Sequence, residues 1–334
     1  MYLKNKPIIP ALLLVFLLNG CSSFQNGFLG LAPVGDKKAY TSARDAYDNG
    51  NYEQAVNELT SYINKIKNVK RREARAYRLL GKSYEQLDRL DKALETYSEA
   101  LEYHPDNVPL LTAAAGLYQR TALLDRAQDL YEYALQKEPD NLDALSGLAY
   151  NYYLIGFSSR SRAIYDRFFT LNPNASALDR ARYAQTFLDQ RNYQQALLHI
   201  TKVLEDQPDS PDFWLLRARA AYGLQLTGEA LEDLDTALLL SPDRHDLLAI
   251  KALWLYQDKQ YKLSTQTAKK MLSLMPDNQL AAFILALNSY KQGKISSAKK
   301  QLANVIQLSA ESFTGKVAQE ILDSLNTTPT KNGK

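Results

Sequence analysis

One interval governs this chain. A small residue sits in the middle of an apolar stretch at Ala43, Gly81, Ala115, Ala149, Ala184, Ala218, Ala252 and Ala286, with gaps of 38, 34, 34, 35, 34, 34 and 34 residues. A second small residue follows each by twelve, at Ala55, Ala93, Ala127, Ser161, Ala196, Ala230, Ser264 and Ala298. Prolines close six of the segments, at Pro105, Pro139, Pro173, Pro208, Pro242 and Pro276. Three independent series share one register. A period of this length means an array of small modules stacked on one another, not a chain wrapped around one centre.

Each repeat carries two helical patterns. In ARAYRLLGKSYEQL, Tyr77, Leu80, Gly81 and Tyr84 recur at helical spacing; in DKALETYSEALEYHP, Ala93, Tyr97, Ala100 and Leu101 do the same. Small side chains at the crossing let two helix axes come close. A short polar stretch makes the turn, Asp88 to Asp91 in this repeat and Gly50-Asn51 in the first. The proline ends the second helix, because the residue before it is pushed out of helical geometry. No segment shows the alternation of a strand.

This pattern resembles the tetratricopeptide repeat over about 270 residues, and residues 74–107 match it nearly throughout. The resemblance implies an all-α protein, an α-solenoid of about eight helix-turn-helix repeats over residues 37–311. Residues 312–326 are expected to form a C-terminal capping helix, and residues 327–334 a disordered tail. The first repeat lacks the closing proline, and Ala310 stands where the last would have one. Four additional residues lie between Ala55 and Gly81, so the first hairpin is longer or ends differently. One additional residue follows Pro173, next to a bulky Phe168 where other repeats hold Ala100, Ala134 and Ala237. That pairing predicts either a bend between the fourth and fifth repeats or simply a longer turn.

The N-terminus has a different logic. Lys4 and Lys6 precede an apolar run from Ile8 to Leu18, then Asn19, Gly20 and Cys21, the one cysteine of the chain. This is the layout of an export signal over residues 1–20. The run is about half the ~20 residues that a helix needs to span a bilayer. Leu18-Asn19-Gly20-Cys21 resembles a bacterial lipobox, which implies diacylglyceryl attachment to Cys21 and removal of what precedes it. The formal charge would then fall from +3 to +1, since the removed segment holds two lysines and no acid. Ser22 and Ser23, in place of aspartate, imply by the same resemblance an outer-membrane anchor facing the periplasm. Residues 21–36 read as a flexible tether of about 20 Å, up to roughly 50 Å when stretched.

Enzymatic chemistry needs converging groups, and the sequence does not bring them together. His104, His199 and His245 read as surface or capping residues, with no pair at i, i+4. There is neither a glycine-rich phosphate loop nor a GxSxG elbow. The expectation is a non-enzyme without cofactor or metal, and the near-neutral charge gives no pull toward nucleic acid.

Binding is the better candidate. In tetratricopeptide arrays the first helix of each repeat lines the concave face. Relative to the small residue, the face lies six and three positions before it and one and four after. In the second repeat these are Arg75, Arg78, Lys82 and Glu85, with Arg71 and Arg72 just upstream; the first repeat adds Lys37 and Arg44. Four after the small residue stand Tyr222, Tyr256 and Tyr290, with Tyr47 and Tyr153 at the same place. Leu253, Phe283 and Leu287 fall on the same face. The cations suit carboxylates of a partner peptide, or form an ordinary solvated face. The chain holds twenty-two tyrosines against ten phenylalanines, and tyrosine gives contact area at low entropic cost. In earlier repeats the core tyrosine sits one place before, at Tyr84, Tyr118 and Tyr152, where the last three hold Ala221, Leu255 and Ser289. Groove and core therefore both stay open for Tyr222, Tyr256 and Tyr290.

By resemblance, lipoproteins of this build include pilotins and assembly factors for type IV and tight-adherence pili, which suggests a secretin or pilus-assembly component as partner. Adaptors for peptidoglycan hydrolases or for polysaccharide export are the alternative. The anchor is testable directly: Cys21→Ser should abolish labelling by a palmitate analogue and release the protein from the membrane fraction. Persistent membrane fractionation would place the anchor elsewhere.

Overall fold

The computed structural model describes residues 34–66 and 73–327, with side chains for 38–65 and 73–327. Cys21, the leader, most of the tether, the four-residue insertion region at 67–72 and the tail from 328 lie outside the described residues. The chain divides between Asn151 and Tyr152 into two compact bodies. The first holds α1 (Val34–Asp48), α2 (Tyr52–Ile66), α3 (Ala74–Gln86), α4 (Leu90–Tyr103), α5 (Val108–Arg120), α6 (Leu124–Lys137) and the start of α7 (Leu142–Ile155). The second holds the end of α7 and α8 (Ser158–Leu171), α9 (Ala177–Asp189), α10 (Tyr193–Asp206), α11 (Pro211–Gly223) and α12 (Thr227–Leu240). It continues with α13 (His245–Gln257), α14 (Tyr261–Leu274), α15 (Gln279–Lys291), α16 (Ile295–Leu308) and α17 (Phe313–Thr327). No strand occurs among the described residues. The architecture is the expected all-α solenoid of helix pairs, odd-numbered helices first and even-numbered second.

The two small-residue series explain the pairing. All sixteen positions are buried, and every alanine and serine among them is 0% exposed except where glycine replaces them at Gly81, which is buried too. Ser264 shows how near the axes come: its Oγ donates to the backbone oxygen of Ala252, 2.8 Å away on the facing helix. Around the crossings the apolar stripes close into continuous cores. In the first body Leu59, Tyr77, Tyr97 and Leu110 are 1% exposed or less, and each large side chain so buried contributes about 1.5–3 kcal/mol.

The turn inside each repeat is the same device eight times. Seven residues after the small residue, Gly50, Asp88, Ala122, Gly156, Arg191, Gln225, Lys259 and Gly293 all adopt positive φ, between 56° and 91°. The following amide donates five residues back, as in Arg89 N to Tyr84 O at 2.9 Å and Gln260 N to Leu255 O at 2.8 Å. This is the six-to-one bond of a Schellman C-cap. Five repeats hold the left-handed conformation without glycine, which shows that packing, not local preference, sets the turn.

Between repeats a second device operates. The residue before each proline leaves helical geometry, as at His104, Glu138 and Asn172. Two residues after the proline, Asn107, Asn141, Ser210 and Asn278 cap the next helix by accepting from a backbone amide. After Pro173 the cap comes one later, at Ser176, which accepts from Asp179 N at 3.1 Å. The added residue is thus taken up in the turn. Phe168, 3% exposed, is received by an aromatic cluster, its ring 6.2 Å from Tyr165 and 5.1 Å from Phe169.

The last repeat is closed by α17. Ala318 is fully buried, and Ile321, Leu322 and Leu325 pack with Ala282, Leu302 and Val305. In place of the missing proline, Gln279 holds the junction. Its Nε2 donates to Val305 O at 2.9 Å and Ser309 O at 2.7 Å, and its Oε1 accepts from Ser312 Oγ at 2.8 Å.

Glycine at the crossing is matched to what faces it. A Cβ on Gly81 would be driven into the Tyr97 ring, whereas the corresponding pair four repeats on is Ala218 and Leu234, both 0% exposed. Gly81→Ala should therefore destabilise the protein by about 1–3 kcal/mol, but cost little or nothing in a Tyr97→Leu background. Denaturant unfolding of the two singles and the double measures this coupling. Equal costs in both backgrounds would remove Tyr97 as the cause.

Candidate functional site

The first-helix faces of α1 and α3 in the first body carry the predicted cations, and the structure sorts them into two kinds. Arg44 pairs with Asp45 at 3.4 Å and Asp48 at 3.9 Å. Arg75 donates through Nε to Glu73 Oε2 at 2.8 Å and lies 4.5 Å from the Tyr40 ring centre. Burial pulls the Glu73 carboxyl upward, but hydrogen bonds from Arg75 and Tyr62 outweigh it and hold the group below the ordinary carboxylate range. Glu85 is likewise engaged, accepting from the Tyr97 hydroxyl at 2.6 Å and from Arg120 at 2.8 Å. Burial, then the Glu85 charge, pushes the Tyr97 hydroxyl far above its usual range. Arg78, half-buried, and Lys82, exposed, have no ion-pair partner among the described residues. Those two are the cations that this face offers outward. Lys37, Arg71 and Arg72 lie outside the residues whose side chains are described.

In the second body the same helix face is aromatic and apolar. Ala221 and Leu255 occupy the core, 1% and 2% exposed. Tyr222 and Tyr256 beside them are half-buried, and Tyr290 is 39% exposed. Tyr153 on α7 is half-buried as well. Tyr222 lies flat on Trp254 of the next first helix, with ring centres 4.1 Å apart and planes within 3°. Its hydroxyl donates to the Gln257 side chain. Tyr256 meets Tyr261 at 5.7 Å, and the Lys291 ammonium sits 5.8 Å from the Tyr290 ring. Burial raises the hydroxyl pKa of both Tyr222 and Tyr256. Leu253, Phe283 and Leu287 complete the face, each partly exposed.

Two participants escaped the sequence reading. Trp254 stands two places after its small residue, where other repeats hold the buried Ser83, Thr186 and Asn288; that mismatch in size was the available signal. Arg217, directly before Ala218, forks onto Asp233, which is only 3% exposed. Its guanidinium also covers Trp214 at 4.4 Å, and Trp214 Nε1 donates to Pro208 O at 2.6 Å. Together these bolt α11 to α12 and to the preceding turn, which fixes the helix that presents Tyr222.

His199 requires a correction. It is not a surface or capping residue: its ring stacks on Phe187 at 5.4 Å and 7°, with Tyr183 at 4.7 Å and Phe169 at 6.3 Å. Burial first, then the charges of Arg180 and Lys202, lowers its pKa against the opposing pull of Asp166. His104 caps α4 and His245 opens α13. Among the described residues no group of His, Cys, Asp and Glu side chains is placed to hold a metal ion. What these faces provide is contact area, two outward cations and hydrogen-bonding hydroxyls.

Comparison with known proteins agrees with this geometry. Residues 42–156 match the family described as the Psidin N-terminal TPR repeats region, and residues 183–246 match the tetratricopeptide repeat. No curated protein sequence matches. PilW, described as a widely conserved type IV pilus biogenesis factor, superposes with a TM-score of 0.58 at 16% identity, over 64% of this chain and 98% of its own. A tetratricopeptide repeat protein from Parabacteroides merdae gives 0.55 at 18% identity, over 76% and 98%. The C-terminal part of a repeat protein from Cytophaga hutchinsonii gives 0.54 at 20%, over 74% and 99%. At these identities the likeness is one of fold.

The lowered pKa of His199 has a sign that can be worked out. Unfolded, the imidazole titrates near 6.5; folded, it takes up its proton only at lower pH. The unfolded state therefore binds more protons in that window, and stability falls as pH drops through about 6.5 toward the folded value. His199→Phe should flatten that part of the curve. Thermal midpoints between pH 8 and pH 5 check this, and an identical acid-side slope in the variant would exclude His199.

Proposed function

Taking the tetratricopeptide-repeat fold as premise, we propose that this chain is a lipid-anchored scaffold in the bacterial envelope that docks partner proteins on its first-helix faces and assists assembly of a pilus or secretion apparatus. The observation that carries the docking is the row of Tyr222, Tyr256 and Tyr290 on α11, α13 and α15, interleaved with Leu253, Phe283 and Leu287 and stiffened by Trp254. Partly exposed aromatics held rigid by their neighbours lose little freedom on binding and form the usual centres of protein interfaces. A partner segment with apolar anchors at regular spacing fits this row. On the first body, Arg78 and Lys82 suit acidic side chains of a partner.

Supporting the cellular reading are the lipobox at Cys21 and the fold likeness to PilW. The pairing of a lipid leash with a docking face fits a protein that holds another one at a membrane. Catalysis has no place in this reading, because the exposed faces carry anchors rather than a converging acid, base or nucleophile.

The test is crosslinked recovery from envelopes. The wild-type chain is expected to bring down secretin subunits or another pilus-assembly component, and its deletion to leave secretin subunits unassembled. Tyr256→Ala with Tyr290→Ala should lower that recovery by about thirtyfold, as loss of a hot spot of about 2 kcal/mol requires. Arg78→Glu with Lys82→Glu should weaken an acidic partner while the helical circular dichroism stays unchanged. Recovery of a cell-wall hydrolase instead of a secretin would replace the pilus reading with the adaptor one.

A further inference from the structure

Lysines run the whole length of this chain, but arginines stop partway. Arg244 is the last arginine; every cation after it is lysine. Residues 259–308, covering α14 to α16, hold eight lysines and a single acidic residue, Asp277. The arginines act as internal bolts: Arg89 to Glu53, Arg120 to Glu85, Arg217 to Asp233, Arg244 to Asp212 and Asp246. None of the eight lysines forms an ion pair among the described residues. An ordinary solvated helix face mixes both signs, and this one does not.

Four of these lysines, Lys262, Lys269, Lys270 and Lys300, share the outward side of the second helices. On α14 the core side is Ser264, Ala268 and Met271. At 100° per residue Lys262 lies opposite it, with Lys269 and Lys270 on the two flanks of that outward side. On α16 the core side is Ala298, Leu302 and Val305, and Lys300 lies opposite. One repeat of 34 residues carries Gln266 of α14 onto Lys300, so the two outward faces are equivalent surfaces of consecutive repeats, both packed on α15. Exposed apolar groups flank them: Leu263 is 46% and Leu274 37% exposed.

We propose that the outward face of α14 and α16 is a docking surface for an anionic phospholipid bilayer. Three features select that occupant. Lysine is a flexible point charge suited to a diffuse negative surface, whereas carboxylate and phosphate groups fixed in one geometry favour the planar fork of arginine, which is absent here. The outward positions of both helices hold no aromatic ring on which a nucleic-acid base could stack. The flanking leucines can enter the headgroup boundary, as on other peripheral helices. This surface is separate from the first-helix faces, so a bound membrane and a bound partner protein do not compete for the same side chains.

The experiment uses the full chain with Cys21→Ser, so that no acyl group contributes, and co-sedimentation with vesicles of phosphatidylcholine alone or mixed with phosphatidylglycerol. Binding should rise strongly with phosphatidylglycerol and decay with added salt. Replacing Lys262, Lys269, Lys270 and Lys300 by glutamine should weaken that charge-dependent partition on the order of a hundredfold, with helical circular dichroism unchanged. The corresponding arginine replacements should preserve it. The proposal is overturned if the glutamine variant partitions like the parent, or if partition is the same on both vesicle types. It is equally overturned if the chain binds polyglutamate or duplex DNA but not the vesicles. Salt insensitivity of the parent protein alone would also be decisive against it.

Discussion

Two helix axes approach only as far as the side chains between them allow. In this protein that spacing is set by one pair of small residues per repeat, twelve positions apart, all of them buried. The Ser264 hydroxyl reaching the Ala252 carbonyl shows backbone-level contact across the crossing. Once the axes are that close, the larger groups have one place to go, into the seams above and below, where Tyr77, Tyr97 and Leu110 fill the space. A bulkier residue at the crossing would spread the pair and open both seams. Close approach at the crossing therefore precedes everything else, including the positions of the faces that could hold a partner.

From that constraint the charges follow a division of labour. Several arginines tie one helix to the next, as Arg217 does to a carboxylate almost without solvent access. A buried carboxylate needs its partner, because removing one side leaves an uncompensated charge. These ties fix geometry more than they add stability, and they lie beside the candidate faces: Arg120 consumes Glu85, Arg75 consumes Glu73. What stays unpaired, Arg78 and Lys82 in the first body and the lysines of α14 and α16 in the second, is what each surface has left for something outside the chain.

Much of the fold was legible because it depends on short-range pattern. The small-residue register, the prolines and the capping helix could all be read by counting. The turn residues were less legible. Asp88, Ala122, Arg191, Gln225 and Lys259 do not announce a left-handed conformation, and only their fixed distance from the small residue does. The side-chain network was not legible at all. Tyr222 on Trp254 spans thirty-two positions and His199 on Phe187 twelve, with the outcome decided by rotamers and by which neighbours are small. His199 illustrates the difficulty: on sequence alone it reads as a surface group, yet the rings of Phe169, Tyr183 and Phe187 pack against it.

The same reasoning explains why the first-helix faces differ so much between the bodies while the crossings do not. A residue at the crossing is constrained by another backbone at contact distance, so only glycine, alanine or serine fits. A residue one or four places further along meets solvent on one side and can be Lys82 or Leu253, Glu85 or Tyr256, at no cost to the stack. The scaffold and its surface chemistry are thus separable variables. Repetition supplies rigid, evenly spaced platforms, and the side chains placed on them determine whether a platform offers charge, as on α3, or aromatic area, as on α11, α13 and α15. A function built on such a chain resides in the sequence of platforms.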